Sequence, residues 1–155
     1  MSKYIITDPC YILEDDAWSA CCKAAYVDKV FNVEAFNNMV KKQLELLSGH
    51  KAWVELTGYG DWSNSIYGTN DKVIQPYFCA DSGTVCVCKL TKDVEDAIHK
   101  RFPAGTGELM AIIEVDSDVS VRFDTTNHDW TVVYIDASDC SFNSELPSGI
   151  VSEES

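Results

Sequence analysis

Apolar residues recur every three or four positions in three segments of the chain, a spacing typical of amphipathic helices. The predicted helices cover about residues 14–26, 33–47 and 91–102. The second helix has the clearest boundaries, because Asn32 is a favourable N-cap and Gly49 a favourable stop. The third follows Thr91, another good N-cap, and carries its acids early and its bases late, as the helix dipole favours.

Seven further segments are rich in β-branched and aromatic residues and are bounded by turn residues, a pattern typical of strands. They cover residues 3–7, 52–57, 73–79, 84–90, 109–115, 119–123 and 131–135. The third and fourth flank Asp81-Ser82-Gly83, which predicts a hairpin in which Gly83 is left-handed and Cys79 lies opposite Cys86. The last three strands are predicted to form a β-meander, followed by loop from Ala137 onward.

These elements predict a single α+β domain with a largely antiparallel sheet of six to eight strands and two or three packed helices. No internal repeat or low-complexity linker interrupts the chain. The predicted domain covers residues 1–148, and residues 149–155 are predicted to be a flexible acidic tail.

No apolar run approaches the roughly 20 residues of a membrane-spanning helix, and the first residues lack the apolar core of a secretory signal. We therefore expect a soluble, intracellular protein. The seven cysteines include the adjacent pair Cys21-Cys22 and form a poor disulfide framework. Cys86 and Cys88 are predicted to share one strand face, where core packing is favoured over a redox or soft-metal role.

The net charge of −13 is unevenly distributed. Residues 1–102 hold 14 acids and 11 bases, whereas residues 103–155 hold 11 acids and one base, Arg122, so the last third carries −10. Direct nucleic-acid binding is not expected, because it needs clustered cations. An acidic surface is predicted instead, suited to a basic partner, to a partner that normally binds nucleic acid, or simply to solubility. Its residues are Asp116, Asp118, Asp124, Asp129, Asp136 and Asp139.

Three aspartates stand beside strand ends: Asp8, Asp61 and Asp81. If these chain breaks meet at one rim of the sheet, they would line a cleft with the aromatic residues Tyr11, Tyr59, Trp62 and Tyr77. Such a cleft binds planar ligands by stacking and fixes them with a few polar groups. Arg122 is a candidate clamp for a ligand carboxylate or phosphate. The alternatives are three Asx-type turns and a cross-strand ion pair for Arg122.

Phosphate-binding loop patterns and zinc-ligand spacings do not occur in the sequence, so we predict neither a metal ion nor a cofactor. An Asp-rich calcium loop is not indicated either. The alternative to a binding protein is a small hydrolase or transferase that uses Asp8, Asp61 or Cys10 in the aromatic cleft.

Asp8-Pro9-Cys10-Tyr11, Gly60-Asp61 and Asp81-Ser82-Gly83 resemble the Asp-Pro-Cys-Tyr, Gly-Asp-Gly and Asp-Ser-Gly pattern of a group of small bacterial and bacteriophage proteins. The resemblance spans about residues 4–90, and Trp62 replaces the second glycine of the middle motif. It implies a phage or bacterial cytoplasmic setting and no particular chemistry.

Together, these features favour a non-enzymatic binding protein of the phage type that inhibits a host defence system. One route is sequestration of a small ligand such as a nucleotide signal by the predicted cleft. The other is imitation of nucleic acid by the acidic surface towards a host protein. Oligomerisation is compatible with both routes.

Overall fold

The computed structural model describes residues 2–56, 62–68, 73–80, 82–103, 110–115, 119–124, 132–136 and 140–143. These residues contain three helices and eleven short strands. The helices are α1 (Asp15–Ala24), α2 (Val33–Ser48) and α3 (Lys92–Arg101), with a short 3-10 turn at Pro9–Tyr11 before α1. The strands are β1 (Ser2–Thr7), β2 (Tyr26–Val27), β3 (Val30–Phe31), β4 (Trp53–Leu56), β5 (Trp62–Tyr67), β6 (Val73–Ala80), β7 (Thr84–Lys89), β8 (Met110–Val115), β9 (Ser120–Asp124), β10 (Val132–Asp136) and β11 (Cys140–Asn143).

Local sequence sets the helix boundaries. The Asn32 side chain accepts a hydrogen bond from the Ala35 amide at 2.9 Å, and Gly49 ends α2 with φ of +74°. The Thr91 hydroxyl accepts one from the Val94 amide at 3.4 Å. These caps satisfy amides that have no partner inside the helix. The three predicted helices are therefore confirmed.

The strands form two main sheets and a small ribbon. One sheet has the order β11-β8-β1-β7-β4 and is antiparallel throughout; the other has the order β6-β5-β10-β9, in which β5 and β10 run parallel. The ribbon pairs β2 with β3. The α+β class and the predominance of antiparallel pairing are confirmed. The strands are divided between two sheets, however, where one sheet of six to eight was predicted.

The five-stranded sheet is the middle layer of the molecule. Along β7, Cys86 and Cys88 pack with residues of the helices, whereas Val85 and Val87 pack with residues of the four-stranded sheet. In β8, Ile112 likewise packs with residues of the helices, and Ile113 packs with residues of the four-stranded sheet. Because successive side chains of a strand point to opposite faces, each central strand contributes to both cores.

The predicted hairpin of β6 and β7 is wrong. β6 pairs with β5, whereas β7 pairs with β1 and β4, so Cys86 lies opposite Thr7 and Val54 instead of Cys79. The physical reason is that β7 is buried from Thr84 to Cys88. A strand that is apolar on both faces is stabilised between two layers. Gly83 has the expected positive φ, +75°, but leads the chain from one sheet into the other.

The predicted meander of the last three strands is also only partly formed. β9 and β10 pair as expected, but β8 joins the other sheet between β1 and β11. Strand β11 occupies residues for which a loop was predicted, because it extends the sheet edge beside β8. The ribbon turns through Asp28 and Lys29, which both have positive φ, 52° and 67°, as a two-residue hairpin requires.

None of the described helices has the length and apolar character to cross a bilayer. The predicted tail at 149–155 lies outside the described residues.

Buried cysteines are part of the helix-side core. Cys21, Cys86 and Cys88 are fully buried free thiols that pack among its apolar side chains. Burial raises the pKa of Cys86 well above its ordinary value and that of Cys88 to about 11. These thiols are therefore protonated at neutral pH and behave as small apolar groups, as core packing predicts.

The Cys88 thiol should make stability fall in alkali. Because its pKa is higher in the folded chain than the ordinary value of 9.0, its contribution is fully present below pH 9 and is lost as pH rises through about 11. The loss should reach about 2–3 kcal/mol, since one pKa unit corresponds to about 1.4 kcal/mol. Urea unfolding between pH 8 and 11 should show this loss in the wild type and a smaller one in Cys88→Ala. If the free energy of unfolding fell equally with pH in the wild type and in Cys88→Ala, the assignment of this loss to the Cys88 thiol would be wrong.

Candidate functional site

The carboxylate of Asp8 holds a buried corner where β1 ends and the chain enters β7. Its oxygens accept hydrogen bonds from the Cys10 amide at 2.9 Å, the Ser82 amide at 2.5 Å and the Ser82 hydroxyl at 2.7 Å. Pro9 follows it as the first residue of the 3-10 turn, whose N-cap is Asp8 itself. We call Asp8, Cys10, Ser82 and Thr84 the Asp8 corner. It joins two segments that are 74 residues apart.

The strand ends next to the other two predicted aspartates approach this corner. Trp62 opens β5 directly opposite Ala80, the last residue of β6, and Ser82 binds Asp8 two residues later. The described ends of β5 and β6, Trp62 and Ala80, therefore lie within a few residues of the segment that binds Asp8. Asp61 and Asp81, together with Tyr59, lie outside the described residues, so the predicted cleft stays a prediction.

The corner concentrates buried polar side chains. Among the described residues, the buried polar ones are Thr7, Asp8, Ser48 and Thr84, and three of these four belong to or adjoin the corner. Thr84 is 1% exposed, and its hydroxyl has no hydrogen-bond partner among the described residues. The negative charge of Asp8 also helps burial to raise the pKa of the neighbouring Cys86 thiol. The corner therefore joins the buried polar side chains of Asp8 and Thr84 to the exposed Ser82.

Tyr11 lies next to the corner but turns its ring into the helix-side core. The ring is 7% exposed and packs edge-on against Phe102, with 5.5 Å between the centroids. Such a contact stabilises the core. A planar ligand would have to displace Phe102 to stack there, so Tyr11 anchors the corner to α3.

Arg122 lies in a different arrangement, on the outer face of the four-stranded sheet. Its guanidinium carbon lies 4.0 Å from the centre of the Tyr134 ring, and Tyr134 stacks on Tyr67 with 5.5 Å between centroids and 27° between planes. The three residues are register neighbours on β9, β10 and β5. We call them the arginine–tyrosine row. The contact that Arg122 makes across the strands is thus a cation–π contact, and the ion pair expected as the alternative is not found among the described residues.

The fold separates this row from the Asp8 corner. Val121, Phe123, Val133 and Ile135 face the five-stranded sheet, so Arg122 and Tyr134 face away from it. Tyr67 ends the strand that Trp62 begins, about 15 Å away at the usual rise of a strand. Asp8 and Arg122 therefore do not share one cleft.

The remaining predicted residues are only partly placed. Trp62 and Tyr77 lie in β5 and β6. Among the predicted acidic-surface residues, Asp124 is half-buried on the outer face of β9 and Asp136 ends β10. Asp116, Asp118, Asp129 and Asp139 lie outside the described residues, and the acidic surface stays a prediction.

Sequence reasoning missed the two tyrosines of the row. Tyr134 alternates with the buried Val133 and Ile135, which indicates an outward position. Its partner could not be found in this way, because the contact depends on the parallel pairing of β5 with β10. The two strands are distant in sequence, and no short pattern records their register.

A groove between α1 and α3, of about 340 Å³, is closed by two ion pairs. Lys100 lies 3.2 Å from Glu14, and Arg101 lies 2.8 Å from Asp15. The charges neutralise one another, and three of the four side chains are strongly exposed, so each pair contributes at most about 1 kcal/mol. The groove lies between two helices, and four of the five charges that line it are paired; the fifth is the exposed carboxylate of Asp16.

Metal ligation and thiol chemistry depend on how the His, Cys, Asp and Glu side chains of the described residues are grouped and buried. No group of three or more His, Cys, Asp or Glu among the described residues could hold a metal ion. The pKa of each of Cys21, Cys22, Cys86 and Cys88 is raised, first by burial, which disfavours the nucleophilic thiolate. Searches of family models, curated proteins and solved structures give no match to the chain.

Removing the Asp8 carboxylate should destabilise the fold. Asp8→Ala leaves two amides and a hydroxyl without their acceptor, and we expect a loss of about 2–4 kcal/mol in the free energy of unfolding. Asp8→Asn, which keeps one acceptor oxygen, should lose less.

Urea denaturation checks this expectation, with Asp16→Ala as the matched exposed control. The control should change stability by less than about 1 kcal/mol. An Asp8→Ala protein as stable as the control would show that the corner does not hold the two segments together.

Proposed function

We propose that the protein is a non-enzymatic, phage-type binding protein that inhibits a host defence system by sequestering a small planar anionic ligand, such as a nucleotide signal. The arginine–tyrosine row is the proposed contact surface. The observation that carries the proposal is the guanidinium of Arg122 held 4.0 Å over the Tyr134 ring, which in turn stacks on Tyr67.

The row combines the two kinds of contact that a nucleotide needs. A guanidinium lying flat on an aromatic ring keeps its N–H edge free to bind a phosphate or carboxylate through paired hydrogen bonds. Tyrosine rings offer a stacking surface for a base, which is worth about 1–3 kcal/mol per stacked base. Arg122 is exposed and both tyrosines are partly exposed, so solvent reaches all three.

Sequestration requires only that the protein bind and hold the ligand, without a chemical reaction. The row lies on a sheet whose other face is packed against the five-stranded sheet, so its side chains are positioned before a ligand arrives. Preorganisation of this kind lowers the entropic cost of binding. The net charge of −13 would repel an anion at long range, but that repulsion is screened beyond about 8 Å at physiological ionic strength.

Substitutions in the row should weaken nucleotide binding without unfolding the protein. Isothermal titration with a panel of mononucleotides and cyclic dinucleotides should identify a ligand for the wild type. Arg122→Gln should weaken it roughly 10- to 100-fold, because a charge-assisted hydrogen bond contributes about 1.5–3 kcal/mol. Tyr134→Leu should also weaken it, whereas Arg122→Lys should give an intermediate loss because it keeps the charge and loses the planar group.

Lys42→Gln is the matched control, since Lys42 is an exposed cation on α2. It should leave the affinity unchanged. If the ligand binds Arg122→Gln and the wild type equally well, the row is not the site. If instead activity against the host system requires the aspartates between residues 116 and 139 and falls steeply as salt rises, mimicry of nucleic acid replaces sequestration.

A further inference from the structure

The open edge of the five-stranded sheet lies at the bottom of a groove. Strand β4 is the last strand of that sheet and pairs only with β7 among the described strands. Helix α2 forms one wall of the groove, Phe123 of β9 lines the other side, and the enclosed volume is about 520 Å³. That volume lies within the range of sites that bind ligands.

The outward backbone groups of β4 are only partly satisfied. The amides of Ala52 and Leu56 donate to the side chains of Glu45 at 3.0 Å and Glu55 at 2.9 Å. In an extended strand, alternate residues direct their N–H and C=O groups to the same side. The N–H and C=O of Val54 therefore face the groove, between two amides that glutamates already cover.

A second unpaired polar group lies in the same groove. The Asn37 side chain donates through Nδ2 to the Glu55 carboxylate at 3.2 Å, which fixes its orientation. Its Oδ1 is buried and has no hydrogen-bond partner among the described residues. A buried acceptor without a donor is destabilising, and an N–H supplied by a partner would satisfy it.

Val33 and the ribbon that precedes α2 carry exposed apolar side chains. Val33 lines the groove and is 43% exposed, and the ribbon before it exposes Phe31, Val30 and Tyr26 by 39%, 67% and 59%. These are four of the five large apolar side chains exposed among the described residues. Such a concentration of exposed apolar side chains in one stretch, residues 26–33, is typical of a protein-binding surface.

From these contacts we infer that an extended segment of a partner protein adds to β4 as a further strand. A backbone that supplies both an N–H and a C=O opposite Val54 is the chemistry that this edge recognises. The segment places an apolar residue against Val33 and an amide against Asn37. It is neutral or basic, because the protein carries a net charge of −13, and a second copy would bring the same charge. This inference concerns a surface separate from the arginine–tyrosine row.

Peptide display against the intact protein provides the test. A library of 12-residue peptides is selected on the wild type, and the enriched peptides are synthesised and titrated against variants. Val54→Pro removes the outward N–H, yet keeps the pairing of β4 with β7, since proline is tolerated where the N–H faces away from the sheet. It should weaken binding about tenfold, whereas Val54→Ala should stay within about threefold of the wild type.

Methylation of peptide amides gives an independent readout that does not depend on the folding of Val54→Pro. Strand addition predicts that N-methylation at the residue opposite Val54 abolishes binding and that methylation of its immediate neighbours is tolerated. Equal sensitivity at successive residues would overturn the inference, as would equal binding to Val54→Pro and to the wild type at matched thermal stability. Failure to enrich any peptide would also overturn it. A concentration-dependent dimer that Val54→Pro abolishes would assign the edge to a second copy and contradict the proposed partner.

Discussion

The hydrogen bonds between Asp8 and Ser82 hold the point at which the chain leaves one sheet and enters the other. β6 belongs to the outer, four-stranded sheet and β7 to the middle layer, and only Ser82 and Gly83 of the short connection between them are described. Asp8 fixes that connection to the end of β1, the neighbour of β7. Because Val85 and Val87 then face one core while Cys86 and Cys88 face the other, the position of both cores depends on this connection. A carboxylate is suited to the task, since it accepts several hydrogen bonds at once.

Local structure was predictable from the sequence, and strand pairing was not. Asn32, Gly49 and Thr91 act within a few residues, so the helix boundaries follow from short patterns. Seven of the eleven described strands were also located within a few residues of their ends, whereas β2, β3, β5 and β11 were not predicted. The hairpin of β6 and β7 failed because the turn at Gly83 is compatible with two outcomes, and burial of both faces of β7 selects the crossing between sheets. Partners such as β5 and β10 are chosen by packing of the whole domain, which short patterns do not record.

At the candidate site too, the position of single residues was predictable from the sequence, whereas their contacts across strands were not. Arg122 was identified from its isolation among acids, and its outward position follows from alternation with Val121 and Phe123. Its contact with Tyr134 depends on the register of β9 and β10, and that of Tyr134 with Tyr67 on a parallel pairing. Asp8 was selected for the right reason, its position at a strand end, but its carboxylate serves the fold, as the Asx-turn alternative anticipated. The two surfaces proposed to bind, the row and the β4 edge, leave this corner undisturbed.

The central claim is that the protein retains a small planar anion. The most direct measurement is mass spectrometry of small molecules released by denaturation from protein that has been incubated with host-cell lysate and repurified, with Arg122→Gln treated in parallel. The account predicts one intact anionic compound in near-stoichiometric amount from the wild type and little from the variant. Recovery of the same compound in equal amount from both proteins, or of a chemically altered product that accumulates with time, would contradict it.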